Sequence, residues 1–190
     1  MRCPACHRDG SFAPLANIQD LVTGNIWLGH RQCPNPECRC HVFVVKDSAA
    51  NRPRATYPAE RIDFDASSIP QPVVAVFEEA LTCHANECYV ASGMLVRKTL
   101  ETLCDDRGAQ GKDLKDRLAD LRRVVILPEA LFQALDGLRL LGNDAAHVRA
   151  KTYTDVGKDE IEVAIALTKE VLKAVYQYDA LLAKLNALKK

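Results

Sequence analysis

The 190-residue sequence has no run of about 18 apolar residues, which excludes a membrane-spanning helix, and no membrane association is expected. Its opening, MRCPACHRDG, carries no apolar core of the kind a secretion signal needs, so cytoplasmic residence is expected. No Gly-rich phosphate loop occurs, and no Ser/His/Asp or paired-carboxylate arrangement stands in a recognisable context, so nothing points to a cofactor-dependent enzyme. Internal repeats and low-complexity tracts are missing as well. So is net charge: 25 Lys+Arg balance 25 Asp+Glu, and any contact with nucleic acid has to be local. What is present is a 48% hydrophobic content, enough for one domain with a small appendage.

The front of the chain differs from the rest. Residues 1–61 hold eight Lys/Arg against five Asp/Glu, and five of the eight cysteines fall within the first 40 residues. They come as CPAC (Cys3, Cys6) and CPNPECRC (Cys33, Cys38, Cys40). Short Cys pairs of this kind wrap a turn so that both sulfurs point at one metal, and two such pairs make a tetrahedral site. The spacing predicts a zinc ribbon over residues 1–48, with one structural Zn²⁺ on Cys3, Cys6, Cys33 and Cys38. Cys40 is the alternative fourth ligand, while His7, His30 and His41 read as bystanders. Four thiolates leave the metal no open position for chemistry, and they reduce the basic excess of the front to about +1. The segments NIWLGHRQC and HVFVVKD are β-branched and aromatic, as short strands bearing such knuckles should be. Cys83, Cys88 and Cys104 lack a second pair and read as buried free thiols.

Residues 49–69, rich in proline and small polar residues, read as a connector with one possible strand around residues 55–64. Beyond Pro72 the pattern is helical, which predicts a domain over residues 70–190 with about five helices. VVAVFEEALTCHA supplies the first, ECYVASGMLVRKTLETLCDD the second, KDLKDRLADLRRV a short third, and Pro128 opens the fourth. The fifth runs unbroken from about Lys158 to Leu188. It carries two apolar rows, of which the second, including Leu167, Val171, Tyr178, Leu181 and Leu185, either widens the core face or forms a homodimer interface. The fold class expected is mainly α, a helical bundle behind a small β-rich ribbon.

Within the fourth helix, LRLLGNDAAH places Arg139, Asn143 and His147 at steps of four, one above another, beside an apolar row of Leu131, Leu135, Leu138, Gly142 and Ala145. A polar row at the edge of a buried face is a candidate site. On the second helix Arg97 and Glu101 form an i, i+4 pair.

The run RKTLETLCDDRGAQGKDLKDRLADL followed by LRLLGNDAAH and a long terminal helix resembles the bacterial domain family DUF 4145 across roughly residues 70–185, most specifically in "R..LE" and "LR..GN.AAH". The resemblance implies a HEPN-like helical bundle, a scaffold found in nucleases, toxins and antiphage or restriction systems, often behind a Cys-rich ribbon. It also implies a chemistry: in the active ribonucleases of that group His147 would be the general acid/base, Arg139 would stabilise phosphorane charge and Asn143 would orient one of them, without metal. The active pattern puts arginine immediately before the polar residue. Here that position is Gly142, with Arg139 one turn earlier. The structural reading is a clamp in which Glu101 on the second helix pairs with Arg139, with Arg97 within reach, Asn143 and His147 satisfy buried backbone or loop groups, and Gly142, Ala145 and Ala146 let the helices approach closely. The expectation is therefore a non-catalytic module of a prokaryotic or phage defence-related system that recognises nucleic acid or a protein partner. A metal-independent ribonuclease using His147 and Arg139 is the alternative.

Overall fold

The structure, a computed structural model, describes residues 1–146 and 156–189. The chain divides into two compact units, Met1–Asp63 and Phe64–Lys190.

The first unit is an antiparallel sheet of β1 (Ala13–Pro14), β2 (Leu21–Thr23), β3 (Ile26–Gln32), β4 (His41–Asp47) and β5 (Arg52–Tyr57), in the order β1-β3-β4-β5 with β2 also on β3. Gly24, at φ +54°, turns β2 into β3, a backbone conformation that costs glycine little. Side chains alternate across the sheet as the period of two requires. Val42 and Val44 are buried on one face, while Phe43 and its cross-strand partner Tyr57 stand exposed on the other. His30, opposite Phe43, stacks on its ring with centroids 4.4 Å apart. The fifth strand begins three residues before the strand suggested by composition, and pairing with β4 draws Arg52–Tyr57 into the sheet.

The second unit contains α1 (Gln71–Ala85), α2 (Tyr89–Asp106), α3 (Leu114–Leu121), α4 (Glu129–Ala146), α5 (Lys158–Leu172) and α6 (Tyr178–Ala187). α2 packs against α1, α3, α4 and α5. Its Val96, Leu100 and Leu103 meet a core that includes Phe77, Leu81, Leu135, Ile161 and Ile165, all buried. The buried hydroxyls are satisfied internally: Ser92 donates to the Ala80 carbonyl at 2.8 Å and Thr99 to that of Leu95 at 2.8 Å. Asp113 caps α3, its carboxylate accepting from the Asp116 amide at 2.9 Å. A mainly helical unit thus follows a small β-rich one.

The long terminal helix departs from the sequence expectation in one respect. It is not regular throughout: Lys173–Gln177 form a π-helical turn between α5 and α6, which raises the number of α-helices among the described residues to six. A side chain from α2's end meets the backbone of this turn. Arg107 donates from Nη2 to the Val175 carbonyl at 2.9 Å while its guanidinium lies 4.2 Å from the centre of the Tyr176 ring. Tyr176 in turn donates its hydroxyl to Asp106 at 2.8 Å, and burial pushes its phenol pKa up.

Candidate metal centre and the polar row

Cys3, Cys6, Cys33 and Cys38 meet at one point, with their four sulfurs all within 4.8 Å of one another. Cys3 and Cys38 are 3.8 Å apart, Cys6 and Cys33 3.7 Å. A disulfide needs about 2.05 Å, so these are not bonded pairs. A tetrahedron of thiolates on a bond of about 2.3 Å has an edge of about 3.8 Å, which the two separations match.

The two knuckles that carry the sulfurs are built alike. In the first, the His7 amide donates to the Cys3 carbonyl at 3.0 Å and His7 takes φ +57°; in the second, the Arg39 amide donates to Asn35 at 2.9 Å and Arg39 takes φ +46°. Each positive φ falls on the residue directly after the second cysteine, where the chain must turn back, and each costs a non-glycine residue strain. The turns aim backbone N–H groups at the sulfurs. Ala5 donates to Cys3 at 3.4 Å, and Arg8, Asn35 and Cys40 donate to Cys6, Cys33 and Cys38. Every sulfur is met by the amide two residues on, an arrangement that favours thiolates over thiols.

The amide of Arg8 holds the Cys6 pKa down, to about 6. Burial pushes the Cys33 thiol up to about 12. For Cys38 the Cys40 amide pulls downward, but burial and the neighbouring Cys6 and Cys3 outweigh it and the thiol is raised. Four convergent sulfurs at tetrahedral spacing, with a backbone amide two residues beyond each, suit a dication that binds thiolates. The donor chemistry therefore fits a metal.

Cys40 stands outside this group, its thiol on the His41 carbonyl at 3.6 Å. The nearby histidines have other contacts: His7 Nδ1 lies 2.7 Å from Asp63, and His41 bonds Gln32 at 3.1 Å.

A feature that spacing alone did not single out lies on the Val42/Val44 face of the sheet. Trp27 pairs across the hairpin with Lys46, and its indole lies where a side chain at residue 29 would be, so only glycine at 29 leaves it room. The Arg31 guanidinium sits 4.6 Å and the Lys46 ammonium 4.8 Å from the ring centre. Arg31 is neutralised by two bonds to Asp20, at 2.8 and 2.7 Å, and it holds the Asp20 carboxyl below the usual range. Lys46 has no ion-pair partner among the described residues. These side chains, with Phe12, Ser11 and Thr56, line a cleft of about 490 Å³.

In the helical unit, Arg139 does not cross to α2. Its Nε donates to Asp136 at 2.8 Å, one turn back on its own helix. Arg97 pairs with Glu101 at 3.4 Å on α2, as their spacing indicates. Close helix approach occurs at Gly142, where a methyl group would strike Arg97 and come within 3.1 Å of the Gly93 carbonyl. Asn143 is half-buried. His147 lies outside the described residues. Between α1, α2 and α4 a cleft of about 440 Å³ is lined by Met94, Arg97, Glu101, Gly142 and Ala146, and Arg139 is not among the residues lining it.

No helix among the described residues is long and apolar enough to cross a membrane. No curated protein and no solved structure gives a match to the chain. Residues 78–190 match the family described as a domain of unknown function, DUF4145. That match takes in more than half of the sequence and contains the Arg97/Glu101 pair and the whole polar row, and the chain belongs to the DUF4145 family.

Proposed function

We propose that the protein is a non-catalytic binding module of a prokaryotic or phage defence-related system, and that its ribbon, held by one structural Zn²⁺, recognises single-stranded nucleic acid. Zinc suits the four-sulfur set because it is borderline-soft, redox-inert and content with a closed tetrahedron. The defence setting and the HEPN-like character of the helical unit rest on the family resemblance alone.

The observation that carries the binding role is the Trp27 cleft. It joins an indole, which stacks with any base, to the Lys46 ammonium, which makes no salt bridge among the described residues although its charge also reaches Asp20. At about 490 Å³ it lies within the usual range of ligand pockets, roughly 300–1,000 Å³. The non-catalytic role is supported by Arg139: a guanidinium tied to Asp136 is spent within its own helix and does not face the α1/α2/α4 cleft.

Trp27 is the chain's single tryptophan, so its fluorescence reports on the cleft directly. Titration with a single-stranded RNA oligonucleotide should quench it, with an affinity that falls as salt rises. Lys46→Ala should weaken binding about tenfold, the share of one phosphate contact or a little more. Binding that persists in Lys46→Ala and is lost in Tyr57→Ala would place the interface on the opposite face of the sheet. A protein that binds no oligonucleotide but is retained by a protein partner would overturn the nucleic-acid assignment.

A further inference from the structure

Among the described residues α6 has no helix or strand beside it other than the π-helical turn that precedes it, and the charge of its Lys184 reaches Asp65. Yet Tyr178, Leu181, Leu182 and Leu185, with Leu188 just beyond, recur at helical spacing along a single stripe, and all are close to half exposed or more. Four leucines and a tyrosine on one exposed helix face call for a cover.

The same unit holds a groove of matching character. Between α4 and α5 a recess of about 360 Å³ is lined by Gly137, Leu138, Leu141, Val163 and Leu167, with Val163 61% exposed. Asp159 lines it as well, at the N-terminus of α5, and has no ion-pair partner among the described residues. Lys184 and Lys189 flank the leucine stripe of α6. An apolar helix with basic flanks thus meets, in kind, an apolar groove bordered by a carboxylate.

One chain cannot make this contact with itself. α5, the π-helical turn and α6 follow one another without a break, so Val163 and Leu182 are separated by about 28 Å of helix at 1.5 Å per residue. The stripe points to the groove of another molecule. If two such helices lie antiparallel, with Leu182 of each beside Val163 of the other, the two-fold axis passes close to the π-helical turn and both contacts form at once. Lys184 then falls beside the Asp159 end of the partner's groove. The arrangement is closed and isologous, as a stable dimer requires.

We propose that the protein is a homodimer in which α6 of each copy fills the α4/α5 groove of the other. The full chain should sediment as a dimer at micromolar concentration. Leu182→Glu, which spoils the stripe, and Val163→Glu, which spoils the groove, should each weaken dimerisation at least about a hundredfold, with helix content retained by circular dichroism. Mixed together, the two variants should partly recover the dimer, because the intact stripe of one meets the intact groove of the other. Lys184→Glu and Asp159→Lys should each weaken it, and the double exchange should restore it. A wild-type chain that is monomeric at 100 μM overturns the proposal. So does a Val163→Glu variant that stays fully dimeric, since the stripes would then be pairing with each other.

Discussion

Gly142 of α4 lies against the Arg97 side chain of α2, so close that a methyl group at residue 142 could not be placed without displacing it. The arginine is fixed from the other side by Glu101 at 3.4 Å, and its Nη1 is buried. Gly142→Ala should therefore destabilise the helical unit by about 1–3 kcal/mol, the ordinary cost of overpacking. Replacing glycine by alanine in a helix would otherwise stabilise it. Thermal unfolding followed at 222 nm gives the sign, and an unchanged or raised midpoint would mean that the helices have room to separate.

Metal content separates the cysteines of the second knuckle. Cys33→Ser should abolish stoichiometric zinc and unfold the ribbon, since binding the metal supplies much of the folding free energy of so small a module. Cys40→Ser should keep one zinc per chain, because the thiol of Cys40 rests on the His41 carbonyl and lies outside the cluster. Elemental analysis of the two purified variants decides the matter. Zinc lost from Cys40→Ser and kept in Cys38→Ser would exchange the two ligands.

Burial raises the thiol of Cys104 to about 11 from an ordinary value of 9.0. Between those values the folded chain keeps a proton that the unfolded chain has lost. The contribution of this group is therefore fully present below pH 9 and declines as pH rises towards 11. Cys104→Ala should flatten that decline in a denaturation series across the interval. At pH 8 a thiol reagent should modify exposed Cys88 rapidly and Cys104 only on unfolding.

The parts of the molecule that depend on short spacings were legible before the structure. The two cysteine pairs are knuckles because the two residues between Cys3 and Cys6 and the four between Cys33 and Cys38 keep each pair of sulfurs close, and the helices announce themselves by apolar periodicity. Arg139 was less readable. Its alignment with Asn143 and His147 drew attention to steps of four, while the residue it bonds, Asp136, stands three positions back, which on a helix is equally near. The π-helical turn was not legible, and the side chain that bonds its Val175 carbonyl, Arg107, is 68 residues away in sequence. The Trp27 cleft depends on the register that sets Trp27 opposite Lys46, and register belongs to the hairpin rather than to either strand. The glycine two residues after the tryptophan was the local sign of it.

What happens to single-stranded RNA mixed with the full, zinc-loaded chain decides between a binder and an enzyme. With magnesium withheld and the products resolved on a denaturing gel, the RNA should quench Trp27, be bound, and be recovered intact, and Trp27→Ala should bind it at least about tenfold more weakly, as expected when a base loses its stacking partner. RNA cut to fragments with 2′,3′-cyclic phosphate ends, with the cutting lost in a folded His147→Ala variant, would contradict the proposal and make the helical unit a metal-independent ribonuclease.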